Sequence, residues 1–244
     1  MSIALHKFGP RWGIADPSPF CIKVESVLRL SGLEFECPPF DPRTSFKKAP
    51  KGKIPFVEIN GQLIGDSNFI IDHLRAKHQV DLDRGLTDEQ KAISLAVRRM
   101  LDEHLYWAAL YSRWFDEPGW SITAPLLFGS APKWIRGFIE KKVRGDTWKR
   151  IEGHGMGKHS REEIYALAAQ DIKALSDLLG VKSFYFGRPD PSLLDVCVHA
   201  FMANIHYPPI DTPIKQSLDK YENLLEHCDR VQKRIYGLSD ASNA

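Results

Sequence analysis

The chain has 244 residues, 43% of them hydrophobic, enough for one large core or two modest ones, which argues against disorder of the whole chain. Its 33 Lys and Arg nearly balance 31 Asp and Glu, for a formal net charge of +2. No cluster of basic residues is long enough for a phosphate-tracking stripe, so nucleic acid is disfavoured as a partner. The opening "MSIALHKFGP" has no run of signal-peptide length, and nothing later approaches the ~18 uncharged apolar residues of a spanning helix. The expectation is a soluble cytoplasmic protein. Cys21, Cys37, Cys197 and Cys228 lie too far apart for a zinc site or a disulfide scaffold, so reduced thiols and no metal are expected.

Proline and glycine divide the first eighty or so residues into short pieces. "IALHKF" reads as a strand. "SPFCIKVESVLRLSG" reads as a helix with Ser18 at the N-cap, Pro19 at the first helical position and Gly32 at the stop. "LEFEC" reads as a second strand. "IPFVEING" and "QLIG" flank Asn60-Gly61, a strong hairpin signal, and "DSNFIIDHLRAKH" reads as a helix beginning near Ser67. The order is β-α-β, an irregular connection, then β-β-α.

After the polar "QVDLDRGLTDEQ", apolar positions recur at spacings of three and four from Asp88 to about Phe115, which predicts one long helix. Between Pro118 and Lys158 prolines and glycines interrupt aromatic-rich segments, and helix broken by loops is expected. Ser160 with Glu163 forms a capping box, Ser192 and Asp195 share that spacing, and a last helix is predicted from about Ile214 to Tyr236. "GHGMGKH", Gly153 to His159, lacks both the phosphate-loop pattern and acidic or cysteine co-ligands, and reads as a mobile loop.

Three motifs carry a resemblance. They are the turn Ser18-Pro19-Phe20-Cys21, the segment "GKIPFVEINGQLIGDS", and "GRPDPSLLD" from Gly187 to Asp195. Together with the element order they resemble the cytosolic glutathione transferases. The segments "SPFCIKVESVLRLSGLEFE", "KAPKGKIPFVEINGQLIGDSNFIIDHL" and "YPPIDTPIK" further resemble the metaxin-related branch typified by the failed axon connections proteins. The resemblance implies an α/β thioredoxin-like N-terminal domain over 1–78, a linker over 79–87, an all-α C-terminal domain over 88–238 and a disordered tail over 239–244. It also implies glutathione as co-substrate, a small hydrophobic electrophile and possible homodimerisation.

Carried onto this sequence, Pro55 resembles the family's cis-proline, after which Ile54 offers its backbone to the cysteinyl part of glutathione; an ordinary trans-proline opening an edge strand is the other reading. Asp66 and Ser67 resemble the acidic-Ser pair for the γ-glutamyl end, where a helix N-terminus favours a carboxylate and Asp66 balances the ammonium, although Asp and Ser also serve as plain N-caps. Lys53, with Lys51 as second choice, could meet the glycyl carboxylate, and Phe20 completes the implied glutathione contacts.

Ser18 stands where a redox turn of thioredoxin type has its first cysteine. A free thiol titrates near ~8.5, and lowering that by two units takes about 2.7 kcal/mol. A hydroxyl bond to a charged sulfur contributes roughly 1.5 to 3 kcal/mol and a helix N-terminus roughly 0.3 to 1. Ser18 can therefore hold glutathione's thiolate as a catalytic residue, or merely cap a helix. Cys21, one turn on, is either a resolving thiol without its nucleophile or a buried, inert one. Tyr106, Trp107, Tyr111 and Trp114 lie on the helix that borders the co-substrate pocket in the family, with Trp12 as a further wall, and their spacing equally suits a core face.

Overall fold

The computed structural model describes residues 2–42, 44–129 and 131–237. The expected tail over 239–244 lies outside them. Strands β1 (Ile3–His6), β2 (Phe56–Ile59) and β3 (Gln62–Gly65) form an antiparallel sheet in the order β1-β2-β3. Asn60 and Gly61 both adopt positive φ, 48° and 84°, as a tight two-residue hairpin turn requires.

The strand expected at "LEFEC" shrinks to one parallel bridge, in which the Leu5 N–H donates to Glu36 at 2.9 Å and the Glu36 N–H to Ile3 at 3.0 Å. Pro38 and Pro39 follow at once and have no N–H to extend the ladder. Helices α1 (Pro19–Ser31), the short α2 (Ser45–Lys48) and α3 (Ser67–His78) complete this half. Gly32 ends α1 at φ 71°, a left-handed position that suits glycine.

The second half is helical. The periodic segment from Asp88 splits into α4 (Asp88–Met100), a π-helical turn (Leu101–Leu105) and α5 (Tyr106–Trp114). Its start is a capping box of Thr87 and Gln90 that the sequence reading missed. The π turn carries Asp102, a carboxylate only 6% exposed, into the interior.

The interrupted region forms α6 (Glu117–Phe128) and a 22-residue α7 (Lys133–His154). A short 3₁₀ turn over Met156–Lys158 then leads to α8 (Arg161–Leu179), α9 (Leu193–His206), α10 (Pro213–Leu218) and α11 (Glu222–Tyr236). Both predicted capping boxes are present, at Ser160 and Ser192. The single last helix predicted from Ile214 is instead two: α10 packs on α8 and α9, α11 chiefly on α9, and a turn closed by the Tyr221 N–H to the Leu218 carbonyl at 3.0 Å redirects the chain between them.

Helix α9 is buried from Leu193 to Ile205 without interruption, so it is packed on every side, with Asp195, His199 and Asn204 among its buried residues. It packs against α1, α4, α10 and α11. Through it the cores of the two halves form one continuous cluster that includes Leu5, Val24 and Leu74 together with Leu105, Ile172 and Val198.

Candidate functional site

Ser18 adopts the extended backbone of an N-cap, φ −104° and ψ 122°, yet its side chain caps nothing. The turn is held by other groups. Asp16, fully buried, accepts hydrogen bonds from the Gly9 and Ser18 N–H groups, each at 2.9 Å. Burial pushes its carboxyl up to about 6, while those two bonds pull the other way. The Ser18 carbonyl takes the Cys21 and Ile22 N–H groups at 3.1 Å, which starts α1 and leaves the half-buried hydroxyl without a capping task. The hydroxyl meets the Cys21 thiol, which is 0% exposed and which burial pushes well above the usual thiol range.

The Ile54–Pro55 peptide is cis. Ile54 packs in one small buried cluster with Cys21, Ala49 and Phe56, which brings the cis turn against the first turn of α1. At the start of α3 the cap is Asp66, whose carboxylate accepts the Asn68 N–H at 2.9 Å. Asp66 sits at φ 80°, a backbone conformation costing a non-glycine residue on the order of 1 to 3 kcal/mol and concentrated at ligand clamps. Ser67 is buried, 4% exposed. Lys51 approaches Asp66 at 3.9 Å and lies over the Phe69 ring at 4.2 Å, whereas Lys53 is simply exposed. The second-choice lysine is therefore the one at the acidic end.

Two polar links that sequence reasoning missed tie this region to the helical half. Lys23, fully buried on α1, pairs with Asp102 at 3.1 Å, and Asn68 bonds both partners, donating to Asp102 at 3.0 Å and accepting from Lys23 at 3.3 Å. The start of α3, the second turn of α1 and the π turn thus meet at one buried network. Arg113 on α5 donates to the Pro17 carbonyl at 2.6 Å and to the Asn204 carbonyl at 2.9 Å. Asn204 in turn reaches the Asp16 carbonyl at 3.4 Å. Burial lowers the Arg113 guanidinium to about 10, so it stays charged at neutral pH. No sequence spacing connects residues 17, 113 and 204, so only the fold reveals this grip.

Four of the candidate aromatics radiate from α5 to different neighbours, and Trp12 approaches α5 from the first half. Tyr106 lies 5.0 Å from Phe20, whose ring also meets Phe201 at 5.9 Å, so Phe20 points into the junction of the two halves. Trp12 lies under the Arg113 guanidinium at 5.4 Å. Trp107 stacks on His154, Tyr111 on Phe115, and Trp114 tilts against Trp120. Of the five, Tyr106 and Trp12 thus lie at the junction of the two halves, and the other three pack between helices. Two open depressions of about 490 and 510 Å³ are lined by other residues, around Arg188 and Arg230 and around Trp120 and Trp148, and neither includes the Ser18 turn.

Comparison with known proteins agrees with this architecture. Residues 19–119 match the glutathione S-transferase N-terminal domain and residues 168–231 the C-terminal domain. The chain is 35% identical to Failed axon connections of Drosophila melanogaster over 96% of its own length, although it spans only 58% of that protein. It is 33% identical to the isoprene-epoxide glutathione S-transferase of Rhodococcus sp. (strain AD45), covering 95% of this chain and 98% of the relative, and 25% identical to human Metaxin-2 over 77% of this chain and 72% of that one. In structure it resembles the β-etherase of Sphingobium sp. strain SYK-6, with TM-score 0.67, 17% identity and coverage of 99% and 97% of the two chains. The match to both halves of the fold, with a relative aligned over nearly all of both chains, places the protein in the glutathione transferase superfamily, among relatives that include the failed axon connections and metaxin proteins.

Proposed function

We propose that the protein binds glutathione against its first half, holds the thiolate at Ser18 and conjugates it to a small apolar electrophile. One observation carries the reading: the Ser18 hydroxyl stands at the N-terminus of α1 with no capping bond to make, beside a cis Ile54–Pro55 turn packed on the same helix. A hydroxyl bond to sulfur of roughly 1.5 to 3 kcal/mol and a helix N-terminus of roughly 0.3 to 1 together meet the about 2.7 kcal/mol that two units of thiol acidity require. Ile54 supplies backbone groups to the cysteinyl amide, Asp66 and Ser67 receive the γ-glutamyl end, and exposed Lys53 receives the glycyl carboxylate.

The Rhodococcus relative is named for an isoprene epoxide, and an epoxide is the electrophile class proposed. The thiolate attacks a ring carbon, the C–O bond opens, and the alkoxide takes a proton from water. Rate enhancement comes from thiolate stabilisation and proximity. Homodimerisation and a cytoplasmic location belong to the same proposal.

A reductase acting through Cys21 fits less well, because that thiol is fully buried and held protonated. Thermal unfolding with millimolar glutathione tests the binding step. At about 100 times the dissociation constant the expected stabilisation is about 2.7 kcal/mol, or roughly 5 to 11 °C. No shift would overturn the proposal in favour of a non-catalytic interaction protein of the metaxin-related kind.

A further inference from the structure

Helix α7, "KWIRGFIEKKVRGDTWKRIEGH", carries seven Lys and Arg against three Asp and Glu in a chain whose whole net charge is +2, so the rest of the chain is net acidic. Along it Trp134, Phe138, Lys141, Lys142, Gly145, Lys149 and Glu152 are all exposed, and at 3.6 residues per turn they fall within an arc of about 100°, with Lys149 paired to Asp146 at 3.8 Å. Trp134 is 85% and Phe138 71% exposed, which is extreme for rings of that size. The opposite face buries Thr147 and Ile151, and α7 packs on α5 and α6, so the exposed arc is the side turned away from the protein. Beside the arc, Lys141, Gly137 and Gly145 border an open groove of about 510 Å³ that also presents Arg144 over the Trp120 ring.

We propose that this arc of α7 docks the protein reversibly on an anionic lipid bilayer, with Trp134 and Phe138 in the headgroup boundary and Lys141 and Lys142 against lipid phosphates. Aromatic anchors at one end of a cationic helix face are what an interfacial helix needs. The charge selects the occupant. In a two-fold contact with a second copy the same patch faces itself, which would set these lysines against one another. A nucleic acid supplies phosphates but no hydrocarbon layer for Trp134 and Phe138. Each lysine near an anionic surface contributes about a fivefold gain in partitioning, and each buried ring roughly tenfold.

The test is co-sedimentation of the full chain with phosphatidylcholine vesicles containing none or about 30% phosphatidylglycerol, with tryptophan emission recorded in parallel. Expected are binding to the anionic vesicles, its loss at high salt, and a blue shift of emission that is absent in Trp134→Ala. The pair Lys141→Gln with Lys142→Gln should weaken partitioning about thirtyfold, and Trp134→Ala with Phe138→Ala at least as much. Melting temperatures of these variants should match that of the parent, since the exchanged side chains are exposed. Absence of binding at millimolar lipid, equal binding to neutral vesicles, or unchanged binding by both variant pairs would overturn the proposal. Sedimentation velocity without lipid covers the remaining occupant: dissociation of an oligomer by Trp134→Ala with Phe138→Ala would assign the face to a second copy and overturn it as well.

Discussion

Replacing Ser18 with alanine separates a thiolate-holding hydroxyl from a helix cap, because the structure assigns the two roles different costs. A working Ser N-cap is worth about 1 kcal/mol, which for a chain of this size is roughly 2 to 4 °C in melting temperature. The Ser18 side chain makes no such bond, so Ser18→Ala should melt within about 2 °C of the parent. The loss should appear in the bound thiol instead. Removing a hydroxyl bond worth roughly 1.5 to 3 kcal/mol from a charged sulfur raises its pKa by about one to two units.

If the parent complex titrates near ~6.5, the variant titrates between about 7.5 and 8.5, and its thiolate fraction at pH ~6.5 falls roughly 5- to 50-fold. Two assays read this: thiolate absorbance of the glutathione complex against pH, and conjugation rate over the same range. The deficit should be largest at low pH and close above pH ~9, where both complexes are ionised. An unchanged pH profile together with a loss of several degrees in melting temperature would refute the reasoning and return Ser18 to the role of a cap.

Asp102→Ala leaves the Lys23 ammonium buried without its carboxylate, a loss of about 3 to 5 kcal/mol, visible as roughly 6 to 20 °C in a melting curve; the apolar pair Lys23→Met with Asp102→Leu should recover most of it. Arg113→Lys cannot span the Pro17 and Asn204 carbonyls with one fork, so conjugation should fall on the order of tenfold and the pH profile shift upward while glutathione affinity changes little; unchanged kinetics would show that the turn stands without it. Buried His199 is lowered from 6.5 to about 4, chiefly by desolvation. The unfolded chain takes its proton first, so this contribution is complete above pH 6.5 and is lost as pH falls through about 4, amounting to about 3 kcal/mol in urea titrations; His199→Asn should flatten that slope.

The parts of the site legible in the sequence were those written in adjacent residues. Asn60-Gly61 names its hairpin, Ser160 with Glu163 and Ser192 with Asp195 name their helix starts, and Ile54-Pro55 beside Asp66-Ser67 carries the family motif into a cis turn and a strained helix start. What stayed illegible depends on contacts between distant residues. The π turn that turns Asp102 inward is invisible to a 3.6-residue period, since its neighbours follow that period on both sides. The aromatic stripe of α5 satisfied core and pocket spacing equally, and only the positions of α6, α7 and α8 show that Trp107, Tyr111 and Trp114 point to three different neighbours. Ser18 takes the N-cap position that its sequence predicts, and only the structure shows that its side chain makes no capping bond there.

In the proposed site the hydroxyl of Ser18 and the terminus of α1 stand among charged groups of both signs. Asp16 is buried two residues before Ser18, and where it ionises its charge opposes a thiolate nearby. Arg113 grips the intervening Pro17 carbonyl with a charge of the opposite sign, and the two feel one another. In the proposed site, what discriminates thiolate from thiol is short-ranged: the Ser18 O–H and the Phe20 N–H, since Pro19 has no N–H and the Cys21 and Ile22 N–H groups already bond the Ser18 carbonyl. Such donors act only at hydrogen-bond distance, so the position of the turn matters more than the sum of charges around it. That position is set jointly by Asp16 from within the first half and by Arg113 and Asn204 from the second, so the helical half takes part in holding the Ser18 turn.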